Sequence, residues 1–280
     1  MDVRVRCRIA FAGLKERAEA DMGTAKQQGE VWGARADDWA SASEPAWNPL
    51  FEAVLDGARV HRGSRMLDVG CGAGGALVLA RQRGAEVTGL DGAAALVAIA
   101  RRRLPGAEIE VGEMEELPFA DERFDVVTGI NSFQFAGNLV NALAEARRVC
   151  RSNGIVAMLV WGKREDCDLL TKVMPSIFAL LPPSPSNSTP PLQLSAPGAI
   201  EDVMAQAGLM PSISELSAAL EFADIGVAVR AIMSASARAI MHSGEERVRR
   251  SVEDALRSAV QADGSIRLDN RFLLALATRH

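Results

Sequence analysis

The chain of 280 residues predicts a doubly wound α/β fold, a mostly parallel sheet covered by helices on both faces. Three observations carry that expectation. Strand-like and helix-like segments alternate from residue 65 to residue 161, a glycine-rich loop follows the first strand, and 48% of the residues are apolar, enough to fill a large core.

The segment RMLDVG reads as a short buried strand, and ALVLARQRG as a helix stopped by Gly84. AEVTGLD is a second strand, AAALVAIARRR a second helix closed by Pro105-Gly106, and AEIEVGE a third strand. FDVVTGI, rich in β-branched residues, is a fourth; LVNALAEARRVC is a helix, and Asn153-Gly154 turns into the strand IVAMLVW. Right-handed crossovers then put a ligand at the carboxyl ends of the strands. A helix-like stretch from about Asp168 to Leu181 leads into the loop PPSPSNSTPP. PGAIEDVMAQAG reads as a helix with Pro at its start and Gly at its end, ISELSAALEF and FLLALATRH as strands, and residues 223–262 as two helices broken at Ser243-Gly244. The expected organisation is a poorly ordered extension over residues 1–29 and one domain over 30–280. Its core spans about 60–162, and helical cap insertions span about 163–197 and 223–262. MDVRVRCRIAF alternates basic and apolar residues and lacks the apolar core of a secretory signal.

With 31 basic against 36 acidic residues and a net charge of −5, no electrostatic footprint for nucleic acid exists. The run Arg101-Arg102-Arg103 reads as a solvated helix end, where positive charge suits the helix dipole. The four cysteines, Cys7, Cys71, Cys150 and Cys167, form no C-x-x-C pair and the histidines number three, so no metal site is expected. Free thiols fit a reducing compartment, the cytoplasm. No uninterrupted apolar run reaches the length of a membrane span.

The loop LDVGCGAGG, residues 67–75, places Gly70, Gly72 and Gly75 in the G-x-G-x-x-G pattern, which fits NAD(P) or S-adenosylmethionine alike. Its neighbours favour the second. Asp68 precedes the first glycine, where a carboxylate bonds loop amides or reaches a cation. Asp91 ends the second strand and can accept both hydroxyls of a ribose, as it would in NAD enzymes too. In GEMEELPFADERFDVV, Glu113 ends the third strand, where it can accept from an adenine amine while the Met114 amide donates to a ring nitrogen. NAD needs a pyrophosphate site at a helix N-terminus, which an aspartate in the motif would oppose. A positive sulfonium would suit it.

With these residues in place the sequence resembles the class I S-adenosylmethionine-dependent methyltransferases, more closely the group of ubiquinone/menaquinone-type and small-molecule methyltransferases. The matching segments are LDVGCGAGG, VTGLDGAAALVAIARRR, GEMEELPFADERFDVV and RVCRSNGIVAMLVWG, over about residues 60–162. The resemblance implies a Rossmann-like sheet of seven strands with the last antiparallel. It implies that Asp68, Gly70 and Gly72, with Cys71 between them, line the methionine end of the cofactor. Asp91 then holds the ribose, Gly92, Glu113 and Met114 surround the adenine, and Asn131 lies near the methionine or the substrate. Ser152-Asn153-Gly154 stands where relatives carry Pro-Gly-Gly. Many relatives pack an N-terminal tyrosine over the cofactor; this chain has none, and VWGARADDWA offers Trp32 and Trp39, seven apart and so on one helical face. Trp39 is the lid candidate; the alternative is that both tryptophans anchor an N-terminal helix in the core.

Methyl transfer from a sulfonium is an in-line displacement, so proximity and alignment supply much of the rate and a base is needed only when the acceptor must lose a proton. His242, between the late helices, is the weak base candidate; His61 precedes the first strand and reads as surface. Phe133, Gln134 and Trp161 are candidate substrate contacts, Phe135 is expected in the core, and the small size of Cys71 explains it better than reactivity does. Met174, Phe178, Leu180, Met233 and Met241 would make an adaptable apolar pocket if they face inward. Asn131-Ser132-Phe133-Gln134 lacks the Pro-Pro pair of enzymes that methylate amino groups of nucleic acid. The expected activity is methyl transfer to a small, partly apolar molecule with S-adenosyl-L-homocysteine as product. A non-catalytic adenosine-cofactor-binding module and an NAD(P)-dependent oxidoreductase are the alternatives, and the acceptor atom and oligomeric state stay open.

Overall fold

The computed structural model describes residues 23–181 and 193–280. Seven strands form one sheet in the order β3-β2-β1-β4-β5-β7-β6. They are β1 (Arg65–Val69), β2 (Glu86–Asp91), β3 (Glu108–Val111), β4 (Phe124–Ile130), β5 (Cys150–Trp161), β6 (Pro211–Phe222) and β7 (Ile266–Thr278). The first five are parallel; β7 runs antiparallel to both β5 and β6. Strands that are apolar on both faces suit this arrangement, because helices cover both sides. The strand order reverses between β1 and β4, so the crevice at their carboxyl ends is the topological switch point.

The helices are α1 (Ala25–Gly33), α2 (Asn48–Gly57), α3 (Gly75–Gln82), α4 (Ala94–Arg103), α5 (Leu139–Val149), α6 (Ala199–Gln206), α7 (Ile225–Ser234), α8 (Ala237–Ser243) and α9 (Glu245–Leu256). Short helical turns fill residues 36–47 and 164–178. Local chemistry sets several boundaries. Asn138 accepts from the Asn141 amide at 3.2 Å to cap α5, and Asp224 accepts from the Val227 amide at 2.9 Å to cap α7. The period-2 pleat sends Met66 to one face, in a core with Leu50, Leu55, Leu77 and Phe272, and sends Leu67 and Val69 to the other, with Phe124, Phe133 and Leu143.

The expected cap over 223–262 holds three helices rather than two, with a break at Ala235-Ser236 besides the one at Ser243-Gly244. Residues 25–29, placed in an extension by sequence, belong to α1, which lies on the loop after β2; residues 1–22 and the whole loop PPSPSNSTPP lie outside the described residues. Arg101, Arg102 and Arg103 are exposed as expected, and Arg103 in addition pairs with Glu44 of the N-terminal segment. Among the described residues no helix is long and apolar enough to cross a membrane.

Phe272 is fully buried, with its ring 4.6 Å from Trp161 and 5.7 Å from Trp47. Phe272→Ala is expected to lower stability by about 3–5 kcal/mol, the usual loss for a buried aromatic truncated to a cavity. Urea denaturation measures it, and a midpoint unchanged from wild type would contradict this packing.

Candidate active site

The carboxyl ends of β1, β2, β3 and β4 open onto one cleft of about 910 Å³, counted out to its solvent-facing mouth. Each strand delivers one polar side chain there: Asp68 within β1, Asp91 at the end of β2, Glu113 two residues past β3, and Asn131 immediately after β4. Gly70, Cys71, Gly72, Gly92, Met114 and Trp39 line the same cleft. The structure thus brings together all ten residues that the sequence assigned to cofactor binding.

Close backbone approach shapes the floor. A Cβ on Gly70 would fall 2.3 Å from the Ser132 Cβ, so only glycine lets the loop after β1 pass the loop after β4. Ser132 then donates to the Val69 carbonyl at 2.5 Å and locks the two together. Asp91 uses both carboxylate oxygens on backbone, accepting from the Gly72 amide at 2.8 Å and the Ala93 amide at 2.7 Å. Loop amides are therefore held by Asp91, not by Asp68. Asp68 instead accepts from the Thr128 hydroxyl at 2.6 Å, as the register pairing Asp68 with Thr128 dictates.

The roof comes from the N-terminal segment. Glu113 accepts from the Ala25 amide at 2.8 Å, satisfying one of the free donors that begin α1. A Cβ on Gly29 would stand 2.2 Å from the Gly92 carbonyl oxygen, so α1 rests directly on the loop after β2. Thr24 donates to the Phe135 carbonyl at 2.6 Å. Trp32 and Trp39 do not share one helix, since α1 ends at Gly33, but their rings meet edge to face at 5.2 Å, and Phe135 meets Trp32 at 5.5 Å. Phe135, expected in the core, is half-buried and lines the cleft.

Other expectations fall outside the cleft. Phe133 is fully buried against Gly129, where a Cβ would strike its ring at 2.2 Å. Gln134 is buried and its Nε2 donates to the side-chain Oδ1 of Asn131, so it supports a lining residue without being one. Trp161 packs 5.6 Å from Trp47, which does line the cleft, and so stands one layer behind the wall. His242 is exposed on α8, and Met241 beside it is 85% exposed; Met174, Phe178, Leu180 and Met233 do not reach the cleft either. The lining residues that sequence reasoning missed are Thr24, Gln28, Glu44, Trp47 and Phe51 among others. Glu44 in SASEPAW carries no local signal, because its partners are distant in the chain.

Burial dominates the electrostatics. It pushes the Asp68 carboxyl up to about 7, opposed by the Thr128 hydrogen bond and reinforced by the charges of Asp91 and Glu44. Burial also raises Asp91, against the two amides that stabilise its charge, and raises Glu44, against Arg103. Buried among these acids, the Cys71 thiol is held well above its ordinary range and stays protonated and unreactive. A cleft with this charge pattern favours a cationic occupant.

Comparison with known proteins now bears on the chain. Residues 67–158 match the family model described as a methyltransferase domain. Around it, a malonyl-[acyl-carrier protein] O-methyltransferase of Serratia marcescens is 34% identical over 105 residues, covering 38% of this chain and 41% of that protein. An uncharacterized 37.1 kDa protein in transposon TN4556 of Streptomyces fradiae is 34% identical over 175 residues, 59% of this chain and 49% of that protein. The chain thus spans about half the length of the curated relatives it matches or less. The YcgJ protein from Bacillus subtilis superposes with a TM-score of 0.55 at 16% identity, covering 82% of this chain and 97% of that one. The [4+2]-cyclase SpnF does so at 0.54 and 18% identity, covering 83% and 80%. These neighbours share the fold of the chain, and the cleft lies at the loop where the match to the family model begins.

Asp68 gives the domain a defined pH response. Below pH about 4 the group is protonated both folded and unfolded. Between about 4 and 7 the unfolded chain loses this proton while the folded chain keeps it, so stability falls as pH rises, and above 7 the loss is complete. Asp68→Asn, which preserves the acceptor for Thr128, is expected to be more stable than wild type at pH 8, with the gap closing towards pH 4. Denaturant titrations at the two pH values measure it; a gap that is equal at both would sink the assignment.

Proposed function

We propose that the cleft binds S-adenosylmethionine and that the protein transfers its methyl group, by in-line displacement, to a small and partly apolar acceptor. The observation that supports this best is the row of carboxylates at the ends of β1, β2 and β3 around a glycine loop shaped for close approach. The residues fit the group. Asp91 and Glu113 each have acceptor capacity beyond the backbone amides they hold, and Asp68 Oδ2 has no protein partner among the described residues.

When bound, S-adenosylmethionine supplies a methyl group on a positively charged sulfonium. Asp68 and the Gly70–Gly72 loop would hold the methionyl end, Asp91 the ribose hydroxyls, and Gly92, Glu113 and the Met114 amide the adenine. Glu113 would then share its carboxylate between a purine amine and the first amide of α1, so the roof is tied to the same group that reads the base. Trp39 and Trp32 close the cleft over the loop, and with Trp47, Phe51 and Phe135 they exclude water and favour an acceptor with an apolar body. Alignment within this walled space is the main contribution these residues make to rate. The domain match and the methyltransferase relatives support transfer over a purely binding role, while the structural likeness to a cyclase shows that the fold alone does not decide it. The buried free thiols of Cys71, Cys150 and Cys167 support a reducing compartment such as the cytoplasm.

Calorimetric titration with S-adenosylmethionine, S-adenosylhomocysteine and NAD(H) tests the reading, followed by methyl incorporation into a panel of small acceptors. Binding of the first two is expected; binding of NAD(H) alone would overturn it. Asp91→Ala should weaken S-adenosylhomocysteine by about 1.5–3 kcal/mol, the value of hydrogen bonds to a charged acceptor. A folded variant with unchanged affinity would remove Asp91 from the site.

A further inference from the structure

Helix α3 begins at the glycine loop, on an uncapped Gly74 and with no acid in its own first turn. An N-terminus of this kind, after a strand and a glycine loop, is where a pyrophosphate ordinarily binds. Here the position is already taken. Glu44, 4% exposed and 31 positions upstream of Gly75, accepts from the Gly75 amide at 3.1 Å. Its other oxygen pairs with Arg103 at the end of α4. Arg103 is fixed in turn by the Ala73 carbonyl at 3.1 Å and the Ala40 carbonyl at 2.8 Å, so it grips the loop and the roof segment at once. The fit is tight, for a Cβ on Gly75 would stand 2.8 Å from the Glu44 carboxyl carbon.

Resting on the reading of the cleft as an S-adenosylmethionine site, we propose that Glu44 is the residue that selects the cofactor. Its carboxylate occupies the anion position at the start of α3, so that a nucleotide bearing a pyrophosphate is refused and a ligand with a cationic tail is admitted. The loop keeps the glycines of a phosphate binder, and the phosphate's place is filled by a side chain of the protein itself. A phosphate brought to this point would meet the Glu44 carboxylate at close range, with Asp68 and Asp91 nearby, in a poorly solvated cleft where like charges repel strongly. Removing Glu44 would leave a helix N-terminus and an unpaired guanidinium facing the same space, the two donors that phosphate sites use. Arg103 acts through Glu44 and is a positioning residue.

The test compares wild type, Glu44→Gln and Glu44→Ala by calorimetry with S-adenosylhomocysteine, NAD⁺ and inorganic pyrophosphate, after circular dichroism has shown that each is folded. Wild type is expected to bind S-adenosylhomocysteine and to refuse NAD⁺ and pyrophosphate at millimolar concentration. Glu44→Ala should gain at least about tenfold in pyrophosphate affinity, a modest share of what charge-assisted contacts contribute, with Glu44→Gln in between. Adding Arg103→Ala should abolish the gain. Wild type that binds NAD⁺ as well as it binds S-adenosylhomocysteine overturns the proposal without any variant, and so do folded Glu44 variants that gain nothing for pyrophosphate. Failure of wild type to bind S-adenosylhomocysteine overturns the reading of the cleft instead, which keeps the two outcomes apart.

Discussion

The carboxylate of Asp91 is the pin on which the site turns. Two backbone amides from different loops, Gly72 after β1 and Ala93 after β2, converge on it at hydrogen-bond distance. A carboxylate is expensive to bury, and these donors are what make its burial tolerable. Because the two loops are fixed to one group, the glycine loop cannot drift relative to the neighbouring strand. Every other feature of the floor inherits its position from that link: the pass of Gly70 beside Ser132, the start of α3, and the seat on which α1 rests.

The roof is attached by a different logic. Segment 23–47 packs Ala36 and Ala40 against Ala73, Ala93, Leu96 and Ile99 and adds polar attachments at its edges. Glu113 holds its first amide, Thr24 ties it to the turn after β4, and the Glu44–Arg103 pair anchors its far end. The aromatic contacts of Trp32, Trp39 and Phe135 then fill the middle. Polar links and apolar contacts thus share the work of holding the roof over the glycine loop.

How far the sequence is legible depends on the range of the interaction. The alternation of strands and helices, the glycine loop and the acids that end β1, β2 and β3 are local patterns, and each appears in the structure where the pattern puts it. Glu44 and Arg103 are 59 positions apart, and no local pattern announces their pairing. Phe133 and Trp161 read as substrate contacts from their place near strand ends, but packing behind the cleft wall takes both. Gly129 opens a slot that swallows the Phe133 ring, and Trp161 turns to Trp47 and Phe272 behind the wall. Residues 25–33 carry a weak apolar face and no side-chain cap; contacts with the loop below, more than propensity, hold them helical.

One joint in this roof differs from the rest. Arg35 bridges Asp38 on its own segment and Glu245 at the start of α9, and Arg230 on α7 lies 3.9 Å from the same Asp38. The N-terminal segment and the late helices therefore meet through charges at the surface as well as through the buried core that Ala42 shares with Ala228 and Val229. Dissolved ions weaken such a seam and leave buried packing almost untouched. Ionic strength is thus a dial on the outer half of this joint alone, because the apolar half beneath it does not respond to salt.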